Sequence, residues 1–436
     1  MAMEYWAVVM FAVVVLLLMA GFPVAFTLGA IAMGFGGYFL GWQEFELLPM
    51  RVWGVMTNFS LLAVPLFVFM GVILERSGLA EELLETVERL LGRLRGGMAV
   101  AIVLVGAVLA ATTGVVGATV VAMGVIALPV MLKSGYDKGL ATGIIASSGT
   151  LGQIIPPSII LILLGDVMGV ATGELFAAAV VPGLLLVLVF MAYVMVIAWL
   201  RPALVPAAGV PEDFPELLGK VIKNLLPLLL LVFAVLGSIF FGIASPTESA
   251  AVGALGTMVL AAMHGRMSFA NLQDSSRQTA RLTSMVFMVL IGATAFGLVF
   301  RSMGGDIVVE EAMTALPGGE WSFLAASMLL IFVLGFFLDF LEICFIVVPI
   351  LAPIAELMGI NMLWFAILIA MNLQTSFLTP PFGFSLFYLK SVAPPSVRIQ
   401  DIYRGVIPFI ALQLLVLGLI MAFPQIVEWL PGLMRE

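Results

Sequence analysis

Pro129, Gly135, Pro156 and Pro157 recur as Pro353, Gly359, Pro380 and Pro381, every one displaced by the same 224 residues. Helix breakers that repeat in register imply a duplicated chain whose helices are interrupted at matching depths. The chain is 63% hydrophobic and only 10% charged, with a mean hydropathy of +1.23, so it has too few polar side chains to clothe a water-soluble globule of 436 residues. It belongs in a bilayer, where an interrupted helix leaves backbone groups unpaired. Such breaks are tolerated only where protein encloses them, and matched breaks in two halves point to the binding centre of a transporter.

Apolar runs near the length of about 20 residues that crosses a bilayer are expected at 5–20, 23–40, 57–75, 139–168 and 174–200, and again at 224–242, 247–263, 281–300, 361–391 and 403–427. The first is read as a span rather than a signal peptide, because Glu4 is the only charge ahead of it. Two further segments, 98–132 and 322–357, have arms of about 15 residues, too short to cross alone, and are expected to be re-entrant helical hairpins. Residues 1–200 and 224–436 are therefore read as two repeats joined by a cytoplasmic linker at 201–223, with broken helices at 139–168 and 361–391. Each repeat holds five crossings, an odd number, so the second must sit upside down relative to the first. The fold class is an all-α polytopic membrane protein of two inverted repeats.

Basic residues orient it. Placing 76–95, 133–138, 201–223, 264–281 and 390–404 in the cytoplasm puts 15 of the 18 Lys and Arg there and leaves Arg51, Arg301 and Arg435 outside. The two hairpins then enter from opposite faces. Residues 79–95 place Leu79, Leu83, Val87 and Leu90 on one helical face with charges opposite, as expected of an interfacial helix on the cytoplasmic surface.

The polar residues inside the membrane cluster at the breaks. Ala146 to Ser158 interrupts an apolar helix with Ser147, Ser148, Thr150 and Ser158, two glycines and Pro156-Pro157. Met371 to Gly383 repeats the recipe with Thr375, Ser376, Thr379, Pro380-Pro381 and Gly383. Unwinding there would present half-helix ends to whatever lies between them: carbonyl and hydroxyl oxygens suit a small hard cation, and amide and hydroxyl groups suit a carboxylate. The hairpin tips supply the facing wall, with Thr112, Thr113 and Gly114 in the first and Gly335, Asp339 and Glu342 in the second. An ionisable group among the aromatics of the second tip requires a partner, a cation or a proton, which makes Asp339 a candidate ion-site or gating residue. Ser245-Pro246-Thr247-Glu248 reads as a capped helix start. One cysteine, Cys344, and one histidine, His264, exclude an intrachain disulfide and a Cys- or His-rich metal cluster. No Gly-rich stretch ends in Gly-Lys-Ser or Gly-Lys-Thr, which argues against an ATP-driven pump.

These segments together resemble the large membrane subunit (DctM-like) of tripartite ATP-independent periplasmic (TRAP) transporters. The resemblance spans the chain and rests on Gly96-Gly97, Lys133-Ser134-Gly135-Tyr136-Asp137-Lys138-Gly139, the Ser147–Ser158 break, Ser245 to Gly253, Leu338-Asp339, and Asn372 with Thr379-Pro380-Pro381-Phe382-Gly383. It implies a carrier of the bacterial inner membrane, with no catalytic residues and no cofactor. The coupling ion would be Na+ and the import an elevator motion. The implied partners are a small four-helix membrane subunit and a periplasmic binding protein that delivers an organic acid such as a C4-dicarboxylate. By position, one sodium site would draw on Thr112 of the first tip with Ser147, Ser148 and Thr150. The other would draw on Gly335, Asp339, Thr375 and Thr379. The solute would lie between the tips, near Thr113, Gly114, Ser158, Thr375, Ser376 and Gly383, with the four break prolines serving the gating. The chain departs from common members at Gln374-Thr375-Ser376, where a glycine often stands at the third position, and in the pair Asp339 and Glu342. A stand-alone dicarboxylate or proton-coupled carrier of related architecture is the competing reading.

Overall fold

The structure is a computed structural model that describes residues 3–91, 94–114, 116–206 and 219–435, with the side chains of Thr112, Thr113 and Arg435 outside the description. Most of the expected linker, 207–218, also lies outside it. The first half runs through α1 (Met3–Met19), α2 (Val24–Phe39), α3 (Leu48–Met56), α4 (Ala63–Arg76), α5 (Leu79–Leu91), α6 (Gly97–Thr113), α7 (Val116–Lys133), α8 (Lys138–Thr150), α9 (Ile159–Met168) and α10 (Thr172–Leu200). The second half runs through α11 (Val221–Phe240), α12 (Pro246–Met263), α13 (Phe269–Ser302), α14 (Gly305–Thr314), α15 (Glu320–Leu334), α16 (Phe340–Leu357), α17 (Met362–Leu378), α18 (Phe384–Val392), α19 (Ile399–Ala422) and α20 (Gln425–Arg435).

The duplication is visible in single hydrogen bonds. After α7, the amides of Ser134, Gly135 and Tyr136 donate to the carbonyls of Val130, Leu132 and Met131; after α16, Met358, Gly359 and Ile360 donate to Ile354, Glu356 and Ala355. All six residues of the second set lie 224 places after their mates. Both turns need a left-handed residue, and Gly135 (φ 91°) and Gly359 (φ 77°) supply it without a Cβ clash. Two residues further, Asp137 caps α8 by accepting from Leu140 N, and Asn361 caps α17 by accepting from Leu363 N and Trp364 N.

Mates also meet in space. α4 packs against its mate α13, α8 against α17 and α10 against α19, while α2 packs on α13 and α12 on α4. The halves therefore interlock about a pseudo-two-fold axis instead of lying side by side. Glycines set the closest of these approaches: a Cβ at Gly143 of α8 would fall on the Gly405 carbonyl of α19, and one at Gly405 on the Gly139 carbonyl.

Both segments expected to re-enter do so. Arg95, ahead of α6, donates to the Pro202 carbonyl at 2.8 Å, and Asp137 N, after α7, donates to Leu204 O at 3.1 Å, so both ends of the first hairpin meet one short stretch. In the second, Trp321 at the start of α15 lies edge-on to Trp364 at the start of α17, ring centroids 6.5 Å apart. The two bases sit at opposite ends of α19. Lys138 Nζ reaches the Ser396 carbonyl just before α19, whereas Trp364 Nε1 donates to Ile420 O near its far end, about 30 Å away at 1.5 Å per residue. The hairpins thus enter from opposite faces.

Polar links between distant segments agree with the grouping of segments by side that the basic residues suggested. Arg76 meets Asp274 and Gln278, Arg266 and His264 approach Glu82, and Asn224 donates to Thr86 Oγ1, all within the stretches placed in the cytoplasm or at their border. Ser302 with Glu44, Thr247 with the Phe59 carbonyl, and Asn361 with Glu428 join segments on the other side.

Several boundaries differ from expectation. The second arms α7 and α16 have 18 residues each, not about 15, because Pro129 and Pro353 are absorbed inside their helices. α13 starts at Phe269 instead of near 281, so its 34 residues extend about 51 Å and its first turns exceed the length a span needs. The last span ends at Ala422, since Pro424 cannot continue it, and α20 follows. α5 buries Leu79, Leu83 and Val87 against α6, but Leu90 is 45% exposed and leaves that face.

Candidate functional site

The breaks fall slightly later in each helix than the hydroxyl-rich sequence suggested. α8 stays helical to Thr150, continues as a 3-10 turn over Leu151–Gln153, and becomes irregular only before the prolines; α17 holds to Leu378. Ser147, Ser148, Thr150, Thr375 and Ser376 therefore sit in the final turns of α8 and α17 and not in unwound chain. Their hydroxyls explain why: Ser147 donates to Gly143 O (2.7 Å), Ser148 to Ile145 O (3.1 Å), Thr150 to Ser147 O (2.8 Å), Thr375 to Met371 O (2.9 Å) and Ser376 to Leu373 O (2.8 Å). Back-bonding of this kind keeps a hydroxyl compatible with a helix. Proline ends it, because the missing N–H and the ring clash act on the residues just upstream.

Past each break, a serine from the second half-helix closes back on the first. Ser158 Oγ donates to Gln153 O at 2.8 Å and Ser385 Oγ to Phe377 O at 2.9 Å, and those two carbonyls are 224 residues apart. The Pro156–Pro157 and Pro380–Pro381 peptides are both cis. Thr379 Oγ1 donates to Thr375 O at 2.7 Å, Gly383 N to Thr379 O at 3.0 Å, and Tyr403 OH anchors the loop through the Pro381 carbonyl.

The hairpin tips abut these breaks. Gly114 (φ 60°) ends α6, and a Cβ there would lie 3.3 Å from Ile159 N at the start of α9. Gly335 ends α15, where a Cβ would collide with Ser376 Oγ and lie 2.7 Å from Ser376 Cβ. So the structure brings Gly335 to Ser376 and Gly114 to the residue after Ser158; what Thr112 and Thr113 contact lies outside the described side chains. Asp339 and Glu342 form a capping box at the start of α16: Phe340 N donates to Asp339 Oδ1 (2.7 Å) and Asp339 N to Glu342 Oε2 (2.9 Å). The Asp339 side chain also accepts from Glu342 N, which completes the box. The other box, between Ser245 and Glu248, forms as its sequence implies.

Two residues that sequence reasoning left aside stand out. Gln153 and Gln374 are 0% exposed, and neither the oxygen nor the nitrogen of either amide has a protein partner. An unpaired buried amide costs about 1–3 kcal/mol on protein scales, so two of them beside the breaks mark a site built for a polar occupant. The turn carrying Gln153 packs against α17, which carries Gln374. Gln413 of α19 adds a third amide, giving Nε2 to Thr150 Oγ1 at 3.3 Å and leaving Oε1 unpaired. The signal that could have found them is a glutamine placed within six residues of a Pro-Pro pair in an otherwise apolar helix.

Inverted repeats, opposed hairpins and enclosed polar breaks define the class: a multi-pass secondary transporter, with its centre between the two broken helices. Comparison with known proteins narrows this. Residues 11–426 match the family model described as "Tripartite ATP-independent periplasmic transporter, DctM component", and the chain belongs to that family. It is 31% identical over 387 residues to the C4-dicarboxylate TRAP transporter large permease protein DctM of Pseudomonas aeruginosa, covering 88% of this chain and 89% of that protein. It is 30% identical over 431 residues to the ectoine TRAP transporter large permease protein TeaC of Halomonas elongata, covering 98% and 99%. Among solved structures, the YdaH transporter of Alcanivorax borkumensis superposes with a TM-score of 0.63 over 98% of this chain and 100% of its own, at 15% identity, a likeness of fold alone. The chain is thus a transporter permease subunit and not an enzyme.

Proposed function

We propose that the chain is the large permease of a sodium-coupled importer of an organic acid in a bacterial inner membrane. A periplasmic binding protein delivers the solute, and a small membrane subunit completes the assembly. The observation that carries the reading is the pairing of orphaned amides, Gln153 and Gln374, with hydroxyls whose protons are already committed to helix carbonyls. A hydroxyl that has given its proton away can only accept, so Ser147, Ser148, Thr150, Thr375 and Thr379 offer oxygen lone pairs, which suit a hard cation and repel a carboxylate. Solute amide or carboxylate groups are left to the glutamines and the half-helix ends. The first ion site then groups the first tip with Ser147–Thr150, and the second groups Gly335 and Asp339 with Thr375–Thr379.

The transport motion is an elevator. α4 packs along the first arm of its hairpin, α6, whereas its mate α13 packs along the second arm, α16. Inverted repeats that hold unequal contacts exchange them when the carrier changes face. The mobile unit is formed by the hairpins and broken helices, and α1–α4 with α11–α13 form the scaffold. The tip of the second hairpin shares a cavity with Arg281 in the first half of α13, which supports a mobile unit that stands toward the cytoplasm.

Uptake of radiolabelled organic acids into vesicles containing the permease, the small subunit and the binding protein tests this. Accumulation driven by an inward sodium gradient and abolished by potassium replacement is expected. Uptake that ignores sodium, or that proceeds with this chain alone, refutes the tripartite sodium-coupled reading in favour of a stand-alone carrier.

A further inference from the structure

We propose that the cavity between the second hairpin tip and α13 receives a zwitterionic solute, one bearing a carboxylate and a cationic nitrogen. This deepens the reading of an organic-acid importer and rests on it. The cavity measures about 500 Å³. Its scaffold wall carries Arg281 and Ser284; its mobile wall carries Asp339 and Glu342; Val24, Ala25, Phe26, Met285, Met288 and Leu341 make most of the remainder apolar.

A guanidinium and two carboxyl groups face this space from opposite walls. Among the described residues no carboxylate lies within ion-pair distance of Arg281, and no other ionisable side chain lines the cavity. Asp339 accepts from backbone amides of the capping box and Glu342 Oε2 accepts from Asp339 N, which orients both side chains at the cavity wall. A molecule with a carboxylate at one end and an ammonium or amidinium at the other bridges the walls, its anion on Arg281 and Ser284 and its cation on the two acids. A dicarboxylate of the same length sets its second carboxylate against Asp339 and Glu342, and like charges brought together in a desolvated site oppose binding. The scaffold wall stays in place while the tip moves, so this bridge forms only when the mobile unit stands toward the cytoplasm, at the step of release.

The test uses 5-aminovalerate and glutarate, five-carbon chains that differ only at one terminus, with valerate as the single-charge control. Binding is measured by equilibrium dialysis against the purified permease with its small subunit, in sodium. The expected result is binding of 5-aminovalerate at least roughly tenfold tighter than glutarate, equivalent to about 1.4 kcal/mol. The doubly substituted D339N/E342Q protein keeps acceptor oxygens for the capping box, so α16 still starts correctly, and it should reduce the preference to within a few-fold. Arg281→Gln should weaken all three ligands. Glutarate binding as well as 5-aminovalerate, a preference unchanged in D339N/E342Q, or no binding of any probe overturns the proposal. Glutarate binding as tight as 5-aminovalerate, and lost when potassium replaces sodium, would do so while sparing the sodium-coupled carboxylate reading, whereas equal binding of every probe with or without sodium would count against both.

Discussion

Replacing Gly335 by alanine tests how tightly the second hairpin tip must seat on its broken helix. The added Cβ would meet Ser376 Oγ, Ser376 Cβ at 2.7 Å and Ile331 O at 3.2 Å. The hydroxyl could rotate away, but Ser376 Cβ is fixed by the backbone of α17, so tip or helix must shift. Overpacking of this kind costs about 1–3 kcal/mol. If the seated tip forms part of the second ion site, that cost appears as weaker sodium activation, by about 5- to 150-fold at 1.4 kcal/mol per tenfold. The assay is the sodium concentration for half-maximal uptake in reconstituted vesicles. Ser376→Gly removes both clashing atoms, so the double variant G335A/S376G should recover most of the loss, a coupling of about 1–3 kcal/mol between neighbours. Unchanged sodium activation in G335A, or a double variant no better than the single, would refute the link between the seated tip and ion binding.

Other consequences can be checked separately. Thr379→Ala or Ser148→Ala should weaken sodium activation with normal assembly on gel filtration; unaltered activation removes those oxygens from the ion sites. Gly405→Ala sets a methyl against the Gly139 carbonyl and should lower the thermal midpoint of the purified protein by several degrees, a cost of about 1–3 kcal/mol with no rotamer to relieve it. Asp137→Ala removes the cap of α8 and should destabilise by about 0.5–2 kcal/mol, with Asp137→Asn nearly neutral because Asn361 does the same work for α17. On the amphipathic helix α5, burial pushes the Glu88 carboxyl above its ordinary 4.5, with Arg89 opposing and Glu85 adding to the rise. The folded state therefore prefers the protonated form, and stability falls as pH rises through the interval above 4.5. Glu88→Gln should raise the thermal midpoint at pH 8 and leave it unchanged near pH 4; the same gain at both would discount burial as the cause.

The duplicated breakers made the architecture legible because backbone physics fixes their meaning. A proline pair must end a helix and a glycine after a helix must turn left-handed, so Pro156, Pro380, Gly135 and Gly359 could be placed without coordinates. Charge did the same for the grouping of segments by side, since arginines such as Arg76 and Arg266 meet acids on neighbouring ends and not hydrocarbon. What escaped was set by packing. The helical state of Ser147 and Thr375 depends on whether each hydroxyl finds a carbonyl one turn back, and apolar composition is silent on that. Gln153 and Gln374 carry no periodic signal, and only burial without partners separates them from ordinary packing residues. Helix α14 was missed because its Ile307, Val308 and Val309 sit among Asp306, Glu310 and Glu311 and read as a charged loop. The pairing of α13 with α16 in place of α15 is set by tertiary packing, on which the sequence pattern is silent.

The central claim is that the hairpins and broken helices travel together past a fixed scaffold. Spin labels at Phe241 on the scaffold and Leu357 on the mobile unit, both more than two-thirds exposed, measure that displacement by pulsed electron resonance. The account predicts two distance populations whose ratio changes between sodium and potassium, with one unchanging distance for a control pair at Phe59 and Phe241 within the scaffold. A single Phe241–Leu357 distance, insensitive to sodium in a protein that still transports, would contradict it.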